Sequence, residues 1–349
     1  MLKNSTLREK DRIVLQTIVE DYLKHGQPVS SGFIHQKRVL GDSPATLRNI
    51  MVKLEELGFL VQPHASAGRI PTDRGLRFYV NSLLAEEPQT VDLTGPAGGK
   101  LVSSKDDLNA LLRETSGLLA EHSDSVGFVL SPRISRINFH HVRFIKIAEA
   151  KVMLLLVTTF NMVLTEIVPT ESEFTQTELD RASQYINQNF AGKNLAVIRD
   201  YLLRELPVSK SQFDQAFARL MALLRASILQ EEHELQMIVQ GASKLIDKFE
   251  ETGLDKLKML FQNFEEKAHL ARLLSDFISL DKVKVLIGEE SHLPLISECS
   301  LVLSHYGDDR QVLGSLGIIG PKRIPYKKII PLVDNVAKRL SRTISRNPS

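Results

Sequence analysis

The run SPATLRNIMVKLEELGFLVQ, residues 43–62, decides how the front of this chain folds. Ser43 can accept from the free amides of a first helical turn, and Pro44 suits the first helical position because its missing N–H would have no partner there. Leu47, Ile50, Met51, Leu54 and Leu57 recur at helical spacing as one apolar stripe, and Gly58 ends the helix. Phe59–Gln62 reads as a short strand, residues 63–68 (PHASAG) as a loop and Arg69-Ile70 as the returning strand.

Working outward, a first helix is expected from about Leu7, with Leu15, Ile18, Val19 and Tyr22 on one face, stopping at His25-Gly26 before Pro28. Ser30-Ser31 opens a short second helix carrying Phe33 and Ile34 and ending near Val39. Thr72-Asp73 caps a fourth, with Leu76, Tyr79, Val80, Leu83 and Leu84 on one face. Three helices followed by a hairpin are the winged helix-turn-helix arrangement, whose third helix enters the major groove while the wing lies along the backbone. Opposite the apolar stripe stand Ala45, Asn49, Val52 and Glu56, flanked by Thr46, Arg48 and Lys53. Asn can pair with adenine, Arg with guanine, and a small apolar group can meet a thymine methyl. A solvated face or a protein-contact surface would leave the same pattern.

The whole chain has 349 residues, 44 Lys+Arg against 42 Asp+Glu, one Cys and no Trp, which suits two or three domains and excludes a polyelectrolyte or a wholly disordered chain. Residues 1–80 hold 12 Lys+Arg against 8 Asp+Glu, so the cationic excess is local to the N-terminal end. A single Cys299 cannot close an internal disulfide, the N-terminus lacks a signal-peptide core, and no apolar run reaches the roughly 18 residues of a membrane span. A cytoplasmic protein with no membrane partner is expected.

Residues 86–99 are polar and rich in Pro and Gly, as a linker would be. Lys105–Glu121 is a helical candidate. Val126–Leu130, Val142–Ile147, Val152–Thr158 and Met162–Val168 read as strands of an antiparallel meander. From Phe174 the period becomes helical, with stripes through Phe213–Ile228 and Leu257–Ala271, and strand-like runs return only at Val283–Ile287 and Leu301–Leu303. A mixed sheet interrupted by an inserted helical domain fits this string, and so does a contiguous α+β domain with long crossovers.

Catalytic constellations are thin. Gly314, Gly317 and Gly320 match neither dinucleotide nor phosphate-loop spacing and read as turn glycines. His140 and His141 should point to opposite faces of a strand, a poor metal pair. His233-Glu234 begins a zinc motif, but Met237 stands where the second His would be needed. Cys299 reads as a small buried hydrophobe. No enzyme, cofactor or metal is expected.

Three blocks carry a resemblance: residues 47–51 (LRNIM), residues 54–60 (LEELGFL) and, above all, residues 66–80 (SAGRIPTDRGLRFYV), with GSLGIIGPKRIPY at 314–326 near the other end. They resemble the HrcA family of heat-inducible transcription repressors, and they bracket nearly the whole chain. The resemblance implies an α+β multidomain fold with a winged-helix DNA-binding domain at 1–90, a GAF-like mixed α/β domain in two segments, 91–170 and 279–349, and an inserted, mainly helical dimerisation domain at 171–278. It further implies a homodimer on an inverted-repeat operator called CIRCE upstream of chaperonin and chaperone operons, kept active by the GroEL-type chaperonin. The candidate DNA-contact set is Ser43, Ala45, Thr46, Arg48, Asn49 and Lys53 around the third helix, and His64, Ser66 and Arg69 on the hairpin. Two other readings stay open: a winged-helix regulator whose GAF-like domain senses a small metabolite, and a repressor fused to an enzyme.

Overall fold

A computed structural model describes residues 7–38, 40–65, 67–85, 108–132, 138–158, 163–170, 173–194, 237–246, 283–292, 296–307 and 312–345. The fold is mixed α/β. Helix α1 (Glu9–His25) opens where the Asp11 carboxylate accepts from the Arg8 backbone N–H, and it closes on Gly26 in the left-handed region at φ 72°. It buries Val14, Leu15, Ile18 and Val19. Helix α2 (Ser31–Gln36) stops short of the expected Val39, because Arg38 swings to φ 51° and breaks the helical backbone. Helix α3 (Pro44–Glu56) follows, then a two-stranded hairpin of β1 (Leu60–Val61) and β2 (Ile70–Pro71), and helix α4 (Asp73–Ala85). The expected linker at 86–99 lies outside the described residues.

Helix α5 (Leu108–Ser123) leads into β3 (Val126–Leu130), buried along its whole length. The meander expected to begin with this strand begins one strand later. β4 (Phe139–Ala148), β5 (Lys151–Thr158) and β6 (Val163–Pro169) form a three-stranded antiparallel sheet of their own. Helix α6 (Gln176–Phe190) lies along the free edge of β4, where Asn187 Oδ1 accepts from Val142 N–H at 2.8 Å and Asn187 Nδ2 donates to the Val142 carbonyl at 3.0 Å. Ser183 Oγ and Gln176 Oε1 accept from Phe144 and Lys146 in turn. Side-chain hydrogen bonds thereby cover an edge that would otherwise template another strand. A register shift between Phe139 and His141 leaves both His140 and His141 exposed, so the strict alternation expected for them fails at a bulge.

β3 belongs instead to a five-stranded antiparallel sheet in the order β7 (Met237–Gln240), β3, β10 (Val312–Pro321), β9 (Cys299–Gly307), β8 (Lys284–Ile287). β7 was not foreseen, and it contains the Met237 of the incomplete zinc motif. The short helix α7 (Ser243–Ile246) follows it, and a 3-10 turn, Gly288–Ser291, follows β8. Gly314, Gly317 and Gly320 stand inside β10, not in turns. At Gly317 a Cβ would lie 2.2 Å from the Val302 carbonyl oxygen, so the close approach of β9 requires glycine. The C-terminal helix α8 (Tyr326–Ser345) and α5 pack against this sheet. Tyr306 donates to the Leu130 carbonyl at 2.7 Å, and Tyr326 donates to the Lys322 carbonyl at 2.8 Å. One buried apolar cluster runs from Val14 and Leu54 near the N-terminus through Val285 and Ile287 to Leu316, Ile329 and Val333, which seats the first four helices on the sheet body. Stripes 213–228 and 257–271 lie outside the described residues. No described helix is long and apolar enough to cross a membrane.

Candidate nucleic-acid interface

Ser43 caps α3: its Oγ accepts from Thr46 N–H at 3.3 Å and lies 3.1 Å from Thr46 Oγ1. Pro44 occupies the first turn. Leu47, Met51 and Leu54 are buried, which fixes the rotation of the helix and turns Ala45, Thr46, Arg48, Asn49, Val52 and Glu56 outward. Val52 is 37% exposed and, with Ala45, adds apolar surface to a largely polar face. The N-terminal half of α3 is thus an open surface carrying one guanidinium, one amide and two small side chains.

The far end of α3 is tied down. Lys53 Nζ lies 2.5 Å from the Asp11 carboxylate, which is buried at the start of α1. Glu55 joins α3 to the hairpin: its Oε2 takes Arg69 Nε at 2.9 Å and its Oε1 accepts from Gln62 N–H at 3.2 Å. The Arg69 side chain is only 13% exposed. Gln62 Nε2 donates to the carbonyls of Ala65 and Ala67, closing the loop between the strands. Val29 and Arg69 exchange backbone hydrogen bonds at 2.9 and 2.8 Å, an isolated bridge that ties the segment before α2 to the hairpin base. His64 is exposed in that loop, and Ser66 lies outside the described residues.

Beyond the hairpin the chain turns back onto α3. Thr72 Oγ1 donates to the Gly58 carbonyl at 2.7 Å, and Arg74 Nη1 donates to the Leu57 carbonyl at 2.7 Å, satisfying groups left over at the α3 C-terminus. The Arg74 guanidinium also stacks 4.5 Å above the Phe59 ring, whose edge meets Phe78. Gly75 packs so closely that a Cβ there would lie 2.3 Å from the Phe59 carbonyl oxygen. Each of Arg69, Thr72, Arg74 and Gly75 therefore has a mechanical task in placing hairpin, helix and α4 together.

Of the residues singled out from sequence, Ala45, Thr46, Arg48 and Asn49 share one open surface and Ser43 caps it. Lys53 and Arg69 are each held by a carboxylate. Asp11, Glu55, Gln62, Thr72 and Arg74 build the surface and were missed, because their partners lie 3 to 42 residues away and no local spacing marks them.

A family profile described as the HrcA protein C terminal domain matches residues 109–330. The heat-inducible transcription repressor HrcA of Geobacter sulfurreducens is 35% identical over 338 residues, covering 97% of this chain and 98% of that protein. The protein of the same name from Methylobacillus flagellatus is 36% identical, covering 98% of this chain and 99% of its own. A crystal structure at 2.2 Å of a protein described as hypothetical aligns over 97% of this chain and 99% of that one, with TM-score 0.63 and 23% identity, a likeness of fold.

Proposed function

The chain belongs to the HrcA family of heat-inducible transcription repressors, and from that premise we propose how it represses. Its N-terminal residues 1–90 act as a winged helix-turn-helix, with α3 in the major groove and the β1–β2 hairpin as the wing. The remainder divides into a GAF-like domain (91–170 and 279–349) and an inserted dimerisation domain (171–278). The protein works in the cytoplasm as a homodimer, each protomer reading one half of a CIRCE-type inverted repeat before chaperone operons. The GroEL-type chaperonin keeps it active, and no cofactor or catalytic site takes part.

The observation that carries this reading is the open N-terminal half of α3 beside a hairpin fastened to the same helix. Arg48 and Asn49 stand where side chains reach base edges, Arg toward guanine and Asn toward adenine, with Ala45 and Val52 near thymine methyls. Ser43 and Thr46 lie at the helix N-terminus, which favours a phosphate. His64 on the wing loop completes the backbone contacts, joined by Ser66, a contact expected from the sequence alone. Lys53 and Arg69 brace the surface through Asp11 and Glu55 and add positive charge beside it for the phosphate backbone.

Fluorescence titration of full-length protein on operator DNA tests the assignment. Arg48→Ala should weaken operator binding by about 1–3 kcal/mol and relax preference at one base step. Unchanged affinity and preference would remove α3 from the groove. Sedimentation at operator-saturating concentration should give a dimer, and adding chaperonin with ATP should raise the operator-active fraction; a monomer, or no response to chaperonin, would reject the corresponding part.

A further inference from the structure

Helix α4 touches both halves of the molecule. On one side Thr72 and Arg74 bind it to the end of α3 and to Phe59. On the other it meets the sheet body through two charged contacts. Arg77 Nε donates to Glu290 Oε1 at 2.8 Å, and its Nη2 donates both to Glu290 Oε2 and to the Val285 carbonyl, the latter at 2.7 Å. Glu290 Oε2 also accepts from Ile287 N–H at 2.9 Å, so the carboxylate is itself fixed to the end of β8. One turn earlier, Asp73 Oδ1 lies 3.0 Å from Lys322 Nζ, which reaches Glu298 at 3.7 Å. Arg77 and Lys322 are about three-quarters covered.

On the same helix, Leu76, Tyr79 and Val80 join the same buried cluster as Val285, Ile287 and Ile324. Apolar burial holds surfaces together without fixing their angle, whereas a guanidinium fork on a carboxylate fixes direction as well as distance. Two charged contacts set one helical turn apart on one helix define an orientation.

We propose that Arg77 with Glu290, and Asp73 with Lys322, are positioning contacts that fix the angle of the DNA-reading head on the body and thereby select the spacing between operator half-sites. This rests on the dimeric, inverted-repeat reading above. Each base pair added between half-sites rotates the second one by about 35° and carries it about 3.4 Å along the axis. A head at a fixed angle meets only one such placement. A head still seated by apolar contact but free to rock meets several.

The test uses full-length protein and inverted repeats whose spacer is shortened or lengthened by one and two base pairs, with an isolated half-site duplex alongside. Wild type should lose about tenfold or more in affinity for each base pair of mismatch, through the loss of simultaneous engagement. Arg77→Gln and Glu290→Gln should flatten the profile to within about threefold and leave half-site affinity within about twofold. The exchanged pair, Arg77→Glu with Glu290→Arg, should restore part of the preference. Melting curves accompany each variant, and Asp73→Asn, at the other charged contact, carries the test if an Arg77 variant does not fold. A wild-type spacing preference that persists unchanged in folded variants overturns the proposal, as does a half-site affinity that falls in step with the full operator. If wild type binds the half-site as tightly as the repeat, the dimeric reading itself fails and this proposal falls with it.

Discussion

Helix α3, of thirteen residues, and strand β10, of ten, are built on opposite terms. Across thirteen residues α3 buries Leu47, Met51 and Leu54, exposes the N-terminal half of its outer face, and is steadied at its far end by Lys53–Asp11 and Glu55–Arg69. β10 carries no charged residue and buries the whole of 313–320 between β3 and β9. An element that leaves one side open gives up burial there, and directional contacts from neighbouring elements make up for the lost packing. An element that only supports can take its stability from buried area, at about 25 cal/mol for each Å² of apolar surface.

The contrast breaks most visibly in the body. Phe128 is fully buried on β3 and would lie against any side chain added at Gly317. Phe128→Ala should cost about 3–5 kcal/mol in urea unfolding. A loss under 1 kcal/mol would mean that the body is not held by packing in the way its burial indicates.

In the head, Gly75→Ala places a methyl group against the Phe59 carbonyl and should cost about 1–3 kcal/mol. Because Phe59 leads into the hairpin, operator affinity should drop at temperatures where the variant is still fully folded. Retained affinity would show that the hairpin tolerates displacement from α4.

The smallest effect sharpens the comparison through pH. Burial pushes the Cys299 thiol up from 9.0 to about 12, and burial raises Tyr306 and Tyr326 as well. These groups hold their protons more tightly folded than unfolded. Their contribution is complete below pH 9 and is lost as pH rises toward the folded values. For one such group the loss is about 1.4 kcal/mol per pH unit. Cys299→Ala should therefore remove about one such increment from the slope of stability between pH 9.5 and 10.5 and leave the slope below pH 8 unchanged. An unchanged slope would mean that Cys299 ionises in the folded body.

How far the sequence reached follows the same division. Ser43, Pro44 and the Leu47–Leu57 stripe announce α3 because cap, first turn and period are local signals. The front four helices are therefore legible. Lys53–Asp11 is not, since nothing near Lys53 says that a carboxylate from the first helix lies beside it. β10 reads as turn chemistry because three glycines at a spacing of three look like breaks until a neighbouring strand is known to crowd them. β7 is four residues long and acquires its identity by pairing with β3, more than a hundred residues away. The exposure of both His140 and His141 comes from a bulge, which strict alternation cannot anticipate. Among the surface residues, Arg48 and Asn49 were recognised by type, whereas Asp11, Glu55 and Gln62, which hold the surface in place, were recognised only once their partners were known.

Arg77 and Glu290 are separated by 213 residues of chain. At about 5–20 residues per second of synthesis, the first four helices emerge some ten to forty seconds before the turn that receives them. Their helical contacts are short-range and can form at once. The charged contacts of α4, Arg77 with Glu290 and Asp73 with Lys322, must wait until β8 and the Lys322 segment have been made. Every newly made molecule therefore passes through an interval in which Arg77 and Asp73 lack the partners they hold in the finished fold, and the length of that interval is set by the ribosome, not by the strength of the final contact.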